Sequence, residues 1–224
     1  MWQRLVAHPV TFKDPWSALT HFAGFLGALV GLIVLVWLSM DQPVKQAGMA
    51  VYGGSLALLF GASTAYHFFD LGAAGNRWLR RLDHAAIFLL IAGTYVPMLL
   101  HLLDGGWRIA MLALMGALAM AGVLLKLVWL ESPRWLTVGT YLAMGWVVVI
   151  PAHRIFPLLT TTQLSLLVAG GVVYTTGAAI YSQKRPDPWP GVFGHHEVWH
   201  LFVLGGAALH FAFTASLLGN AIPS

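Results

Sequence analysis

The sequence predicts an all-α integral membrane protein with seven transmembrane helices, a cytoplasmic N-terminus and a C-terminus outside the cell. Composition indicates the membrane class, because 58% of the 224 residues are hydrophobic and only 9% are charged. A soluble domain carries about 25% charged residues. The apolar residues are also grouped into stretches close to the ~20 residues that a membrane-spanning helix requires.

Short polar segments separate these stretches, and we interpret residues 1–224 as a single transmembrane domain. An amphipathic arm, residues 1–14, precedes the first span, in which Gly24, Gly27 and Gly31 are expected to permit close helix approach. The fifth span is the shortest and ends at Pro151. The predicted spans are 16–40, 47–69, 83–102, 107–130, 135–150, 163–182 and 196–218.

Lysine and arginine are unevenly distributed between the two ends of the predicted spans. One side holds Lys45, Arg108 and Arg154. The other side holds Arg4, Lys13, Arg77, Arg80, Arg81, Lys126, Arg134, Lys184 and Arg185. Because basic residues are enriched on the cytoplasmic side, this asymmetry predicts a cytoplasmic N-terminus in the inner (plasma) membrane. The same rule accounts for the pI near 9.6, so we expect no nucleic-acid partner.

The segment Gly194–His200 contains the pattern H-E-x-x-H at the start of the last apolar stretch. On a helix, His196 and His200 lie one turn apart on the same face. This spacing suits two nitrogen ligands of one zinc ion. Since cysteine is absent, any metal site must use histidine, aspartate or glutamate. Polar groups in a membrane helix are costly, which makes this pair a candidate functional site.

Other polar residues are predicted at the same depth near the cytoplasmic face. His67 lies near the end of span 2 with Ser63 one turn deeper, and Asp83 opens span 3. His67, His196 and His200, together with one water, would complete an open zinc site. An adjacent carboxylate or hydroxyl would then orient and deprotonate that water, which makes Asp83 the candidate base and Ser63 a polar positioning group.

These motifs resemble the hemolysin III family, the bacterial branch of the progestin and adiponectin receptor (PAQR) group. The resemblance rests on Ser63-x-x-x-His67, on Leu82-Asp83-His84 and on His196–His200 with the apolar run that follows. It implies seven helices and zinc held by His67, His196 and His200, with Asp83 and Ser63 beside it. It also implies a Zn²⁺-dependent hydrolase of lipid amide or ester bonds, similar to ceramidases, that acts in membrane homeostasis on membrane lipids or a lipid-like ligand.

Three other functions fit parts of the pattern. A receptor or sensor would use zinc only to join helices, without catalysis. A pore-forming haemolysin would line several depths with polar residues, whereas here they gather at one end. A membrane metalloprotease would use Glu197 as its base, but Glu131 and Asp187 lie on loops, so His67 is the better third ligand. His21 could lie close to the site, and His195 is expected at the membrane interface.

Reporter fusions to each end of the chain test the predicted orientation. A reporter active only in the cytoplasm should work at the N-terminus and fail at the C-terminus, because an odd number of spans separates the two ends. A cytoplasmic C-terminus would contradict the seven-span topology.

Overall fold

The fold, seen here in a computed structural model that describes residues 13–219, is built from helices. The helices are α1 Pro15–Trp37, α2 Pro43–Phe68, α3 Gly72–Leu102, α4 Gly105–Val128, α5 Arg134–Gly145, α6 Ala152–Ile155, α7 Thr161–Gln183 and α8 His195–Ser216. Within the described residues, the extended structure is limited to an isolated bridge between Trp189 and Phe193. Most of the predicted arm, including Arg4, lies outside the described residues.

Among residues 13–219, six helices are long and apolar enough to cross a membrane, and the count rises to seven if one bent pair forms a single span. That pair, Arg134–Val149 and Ala152–Leu158, meets at 43° in the region of the fifth predicted span. The fold is therefore that of a multi-pass, all-helical membrane protein. The many large apolar side chains on its outer surface face the hydrocarbon that surrounds such a protein.

The break after α5 is stabilised by a side chain of α3. The Tyr95 hydroxyl donates to the carbonyl oxygen of Gly145 at 2.7 Å and accepts from the backbone N–H of Val148 at 2.8 Å. Backbone groups released by a helix break need partners inside a membrane, where water is scarce. Tyr95 supplies them where α5 ends, just before the bend.

Helix α3 begins at Gly72, well before the predicted start of the third span at Asp83. The sequence places the polar segment with Arg77 and Arg80 between the second and third predicted spans, as a loop, whereas the structure shows that it is helical. Asp70 accounts for the early start, because its carboxylate accepts from the N–H of Gly72 at 3.1 Å and from the Asn76 amide at 2.8 Å. Asp83 consequently lies about 16 Å along the helix rather than at its first turn.

The centre of the bundle is formed by α2 and α3. In their most apolar windows 56% and 61% of the residues are buried, against 22% in α1 and 17% in α7. Helix α1 packs on α2 and on α8, and α7 packs on α8. This arrangement brings the end of α2, the beginning of α1 and the beginning of α8 together, although α8 is the last helix of the chain.

Glycines allow several helices to approach closely. Gly24 and Gly31 of α1 face Leu204 and Phe211 of α8, as the glycine pattern predicted. The prediction is wrong for Gly27, which has no atoms outside its own helix within 4 Å of where a β-carbon would stand. Close approach in membrane bundles depends on such small residues at the contact itself.

Gly122 and Gly116 of α4 offer a matched test of this packing. A β-carbon at Gly122 would overlap the Phe88 ring of α3, whereas one at Gly116 would meet open space. We expect Gly122→Ala to lower the free energy of unfolding by about 1–3 kcal/mol through overpacking. Gly116→Ala should be neutral or stabilising by up to about 1 kcal/mol, since alanine favours helix. Thermal unfolding in one detergent compares them, and equal midpoints would contradict the packing assignment.

Candidate metal centre

Three histidines from the two ends of the chain form a cluster in the structure. His67 lies in the last turn of α2, and His196 and His200 lie in the first two turns of α8. One nitrogen from each ring can be chosen so that all three atoms lie within 4.8 Å of one another. His67 and His200 are buried, with 2% of their surface exposed. The structure thus brings together the three residues that the sequence pattern grouped by depth.

Local structure explains why α8 presents its histidines at this point. The chain leaves the proline-rich segment in an extended conformation at Gly194, and α8 begins at His195. Glu197, in the first turn, accepts a hydrogen bond from the Gly194 backbone N–H at 2.8 Å. This bond satisfies one of the backbone N–H groups that a helix start leaves free. The two histidines one turn apart are then held on the face that looks toward α2.

Asp14 contacts the outer side of the His67 ring. Its Oδ2 atom lies 2.9 Å from His67 Nδ1, and this hydrogen bond is the largest influence holding the pKa of the Asp14 carboxyl below its usual range. An ionised carboxylate can only accept, so the Nδ1 atom of His67 carries the proton. In neutral imidazole the Nε2 atom of His67 is then free of hydrogen, and its lone pair faces the cluster.

One pair of nitrogens has the separation expected for two ligands of a tetrahedral metal ion. The Nε2 atoms of His67 and His196 lie 3.3 Å apart. Two nitrogens bound to tetrahedral zinc at 2.0–2.1 Å would be separated by about 3.3 Å. The Nδ1 atom of His200 is buried and has no hydrogen-bond partner. Three imidazoles are a donor set that suits zinc.

A cavity of about 310 Å³ opens beside the cluster. His196, His200, Ser63 and Asp83 all line it. Ser63 and His67 are among the groups that interact electrostatically with the buried Asp83 carboxyl. The structure therefore brings both residues chosen as catalytic candidates to the same space as two of the three histidines.

The rest of the cavity is mostly apolar and runs along the helices away from the cluster. Its lining continues along α3 to Met98 and along α8 to Phe213, and it includes Trp146 beside the break after α5. From His200 to Phe213 the helix rises about 20 Å. The cavity volume is at the lower end of the range for ligand pockets. Because it is spread over that length, the cavity is narrow, and most of its lining is apolar.

Comparison with known proteins decides the family. Residues 11–211 match the family described as "Haemolysin-III related". The chain belongs to the haemolysin III family. It is 36% identical to "Hemolysin-3" of Bacillus cereus over 87% of each chain, and 32% identical to "Hemolysin-3 homolog" of Bacillus subtilis (strain 168) over 87% of this chain and 89% of the relative.

Similarity also extends to the wider receptor group. "Heptahelical transmembrane protein ADIPOR2" of Oryza sativa subsp. japonica is 36% identical over 62% of this chain and 67% of the relative. The resemblance to the hemolysin III family and to the PAQR group, which was inferred from three short motifs, is confirmed. The motifs lie at the histidine cluster of this haemolysin III family member and along the cavity beside it.

Glu197 has a clear local role in this haemolysin III structure. Besides its bond to Gly194, its Oε1 atom accepts from the Ser17 hydroxyl at 2.9 Å. Both carboxylate oxygens therefore have partners, and the bond to Ser17 joins the start of α8 to the start of α1. This arrangement favours a structural role over that of a general base in a protease.

Three other histidines lie at different distances from the cluster. His21 of α1 stacks on His200, with ring centroids 3.7 Å apart and planes within 15°, which agrees with the expectation that it lies close to the site. His195 lies near Tyr181, at 6.4 Å between ring centroids. His210 lines the cavity far from the cluster and lies 3.2 Å from the Leu167 carbonyl oxygen.

Sequence reasoning missed Asp14 and Ser17, which contact His67 and Glu197. Asp14 immediately precedes Pro15, the first residue of α1, so it was interpreted as part of the N-terminal arm. A signal was present, because Asp14, Ser17 and His21 recur at the spacing of one helix face. That pattern identifies a polar face at the start of α1, and only the tertiary structure shows what it touches.

Proposed function

We propose that this haemolysin III family member is a zinc-dependent hydrolase of lipid amide or ester bonds that acts in membrane homeostasis. The observation that carries the proposal is the position of the histidine cluster beside a narrow, mostly apolar cavity, which His196, His200, Asp83 and Ser63 line. His67, His196 and His200 would hold Zn²⁺. When bound, zinc supplies a Lewis acid for the carbonyl and an acidified water, with a pKa near 7.

The residues of the chain supply the remaining steps. The apolar part of the cavity holds the acyl chain and excludes water, which brings the amide or ester carbonyl to the histidine cluster. The Asp83 carboxylate accepts a proton from the attacking water, and the Ser63 hydroxyl positions the polar group of the substrate. The reaction consumes one water, breaks the C–N or C–O bond, and releases a fatty acid with an amine or an alcohol.

The orientation follows from the basic residues rather than from the fold. We assign the N-terminus and the histidine cluster to the cytoplasmic side of the inner membrane, because nine of the twelve basic residues lie toward that side. Lys13, beside the cluster, donates to the carbonyl oxygen of Tyr66 at 3.2 Å. Substrate would then come from the cytoplasmic leaflet or from the membrane interior.

A receptor or sensor with structural zinc is the second candidate. It is favoured by one observation, the way the cluster joins α2 to α8 while Glu197 and Ser17 join α8 to α1. Such a junction would hold the bundle together without turnover. The two functions differ in what they require of Asp83, since a junction needs no base.

Purified protein should contain about one zinc per chain, measured by elemental analysis. We expect His67→Ala to lose most of the metal, since two histidines remain. The exposed His153 provides the control, and His153→Ala should retain full zinc. Glu197→Ala should also retain it, because its oxygens bind Gly194 and Ser17 rather than the cluster. Neutral histidines are needed for binding, so zinc should leave as the pH falls. Full zinc occupancy in His67→Ala would contradict the ligand set.

The Asp83→Asn variant distinguishes a hydrolase from a receptor in which zinc only joins helices. The substitution keeps the shape of the side chain and removes the base, so zinc content and thermal stability should be retained. Release of fatty acid from lipid amides and esters should fall about 100-fold or more, the usual scale for loss of a general base. The exposed Asp41 provides the matched control, and Asp41→Asn should cleave at the wild-type rate.

Two outcomes would count against the hydrolase. If zinc-loaded wild type cleaves nothing across a broad panel of lipid amides and esters, the receptor function replaces it. If Asp83→Asn cleaves as fast as wild type at equal zinc content, Asp83 is not the base.

A further inference from the structure

The first turns of α1 cover the histidine cluster from outside. Asp14, Ser17 and His21 lie on one face of the helix, at spacings of three and four residues. Each contacts a different residue at the site. Asp14 bonds to His67, Ser17 bonds to Glu197, and His21 stacks on His200. None of these three residues is one of the three clustered histidines, so together they form an outer layer around the cluster.

Asp14 lacks the hydrogen bond that an aspartate at its position in a helix normally makes. It occupies the N-cap position of α1, where an aspartate normally accepts a bond from a backbone N–H of the first turn. Here its side chain makes no such bond. The cap bond is worth about 1 kcal/mol to a helix. The carboxylate points to His67 instead, so the contact with the histidine replaces a stabilisation that the residue type and position would otherwise provide.

The backbone holds this carboxylate in place. The Asp14 N–H donates to the His67 carbonyl oxygen at 3.0 Å, and Lys13 Nζ donates to the neighbouring carbonyl of Tyr66 at 3.2 Å. The Lys13 ammonium also lies 3.5 Å from the centre of the Tyr66 ring. Residues 13 and 14 are thus fixed against the end of α2 by several contacts, and the Asp14 carboxylate is fixed relative to the ring of His67.

We propose that Asp14 is a positioning residue for the metal, which holds His67 in the Nδ1-protonated form and aims its Nε2 atom at the ion. The assignment rests on the zinc site of the proposed function and is independent of hydrolysis. A carboxylate on the far nitrogen of a ligating histidine fixes the tautomer and ring orientation and raises the basicity of the ligand. The 3.3 Å separation of the His67 and His196 Nε2 atoms is the geometry this orientation produces.

Competition for zinc with a chelator of known affinity tests the assignment on the full-length protein. Loss of such a carboxylate typically weakens metal binding about 10–100-fold, so we expect that loss in Asp14→Ala. Asp14→Asn keeps an acceptor oxygen but loses the charge, and its affinity should lie between those of wild type and Asp14→Ala. Asp70→Ala removes an exposed acid near the end of α2 that bonds to Asn76, and it should bind zinc as wild type does.

A double substitution distinguishes positioning from a general structural role. If Asp14 acts through His67, then adding Asp14→Ala to His67→Ala should cause no further loss of zinc affinity. An equal additional loss in that background would show that Asp14 acts on the fold instead, and would overturn the assignment. Zinc binding by Asp14→Ala as tight as in wild type would also overturn it.

The zinc-binding measurements test the role of Asp14 independently of lipid hydrolysis. Wild type that binds zinc but cleaves no lipid removes the hydrolase and leaves the affinities of the Asp14 variants to be judged on their own. Wild type that binds no zinc overturns the metal centre and the role of Asp14 together.

Discussion

Imidazole nitrogens buried in a membrane protein need partners, and much of this structure follows from that need. His67, His196 and His200 bring six ring nitrogens into a space with little water, and the Nδ1 atom of His200 has no protein partner. Hydrogen bonds are costly to leave unmade in such surroundings. The surrounding structure is arranged accordingly. Asp14, just before α1, supplies a carboxylate, and α8 supplies two histidines on one face.

The sequence was sufficient to group the three histidines that the structure brings together. His196 and His200 share a helix face by spacing alone, and His67 joins them because span order assigns the end of α2 and the start of α8 to the same side of the membrane. These rules depend on helix periodicity and on the basic residues, which are local properties. The same rules predicted helix boundaries less well where a helix continues into a polar segment. The residues before Asp83 were interpreted as a loop, although α3 begins at Gly72 and runs through them.

The outer part of the site was beyond sequence reasoning because it depends on distant contacts. Asp14 and His67 are 53 residues apart, and Ser17 and Glu197 are 180 apart. Local rules assign Asp14 a capping bond that the structure does not contain. The cavity was equally inaccessible, since it arises where the bend after α5 and the packing of α3, α7 and α8 leave space between helices. The residue pattern of a single helix cannot predict such a space.

The distribution of the cluster along the chain has a consequence for biosynthesis. His67 precedes His196 by 129 residues, so at 5–20 residues per second it is synthesised about 6–26 s earlier. During that interval α8 does not exist, and the completed cluster cannot form. Asp14, however, belongs to the first helix and is already present when α2 is made. The hairpin of α1 and α2 can therefore satisfy one nitrogen of His67 in the nascent protein, before the end of translation delivers the other two rings.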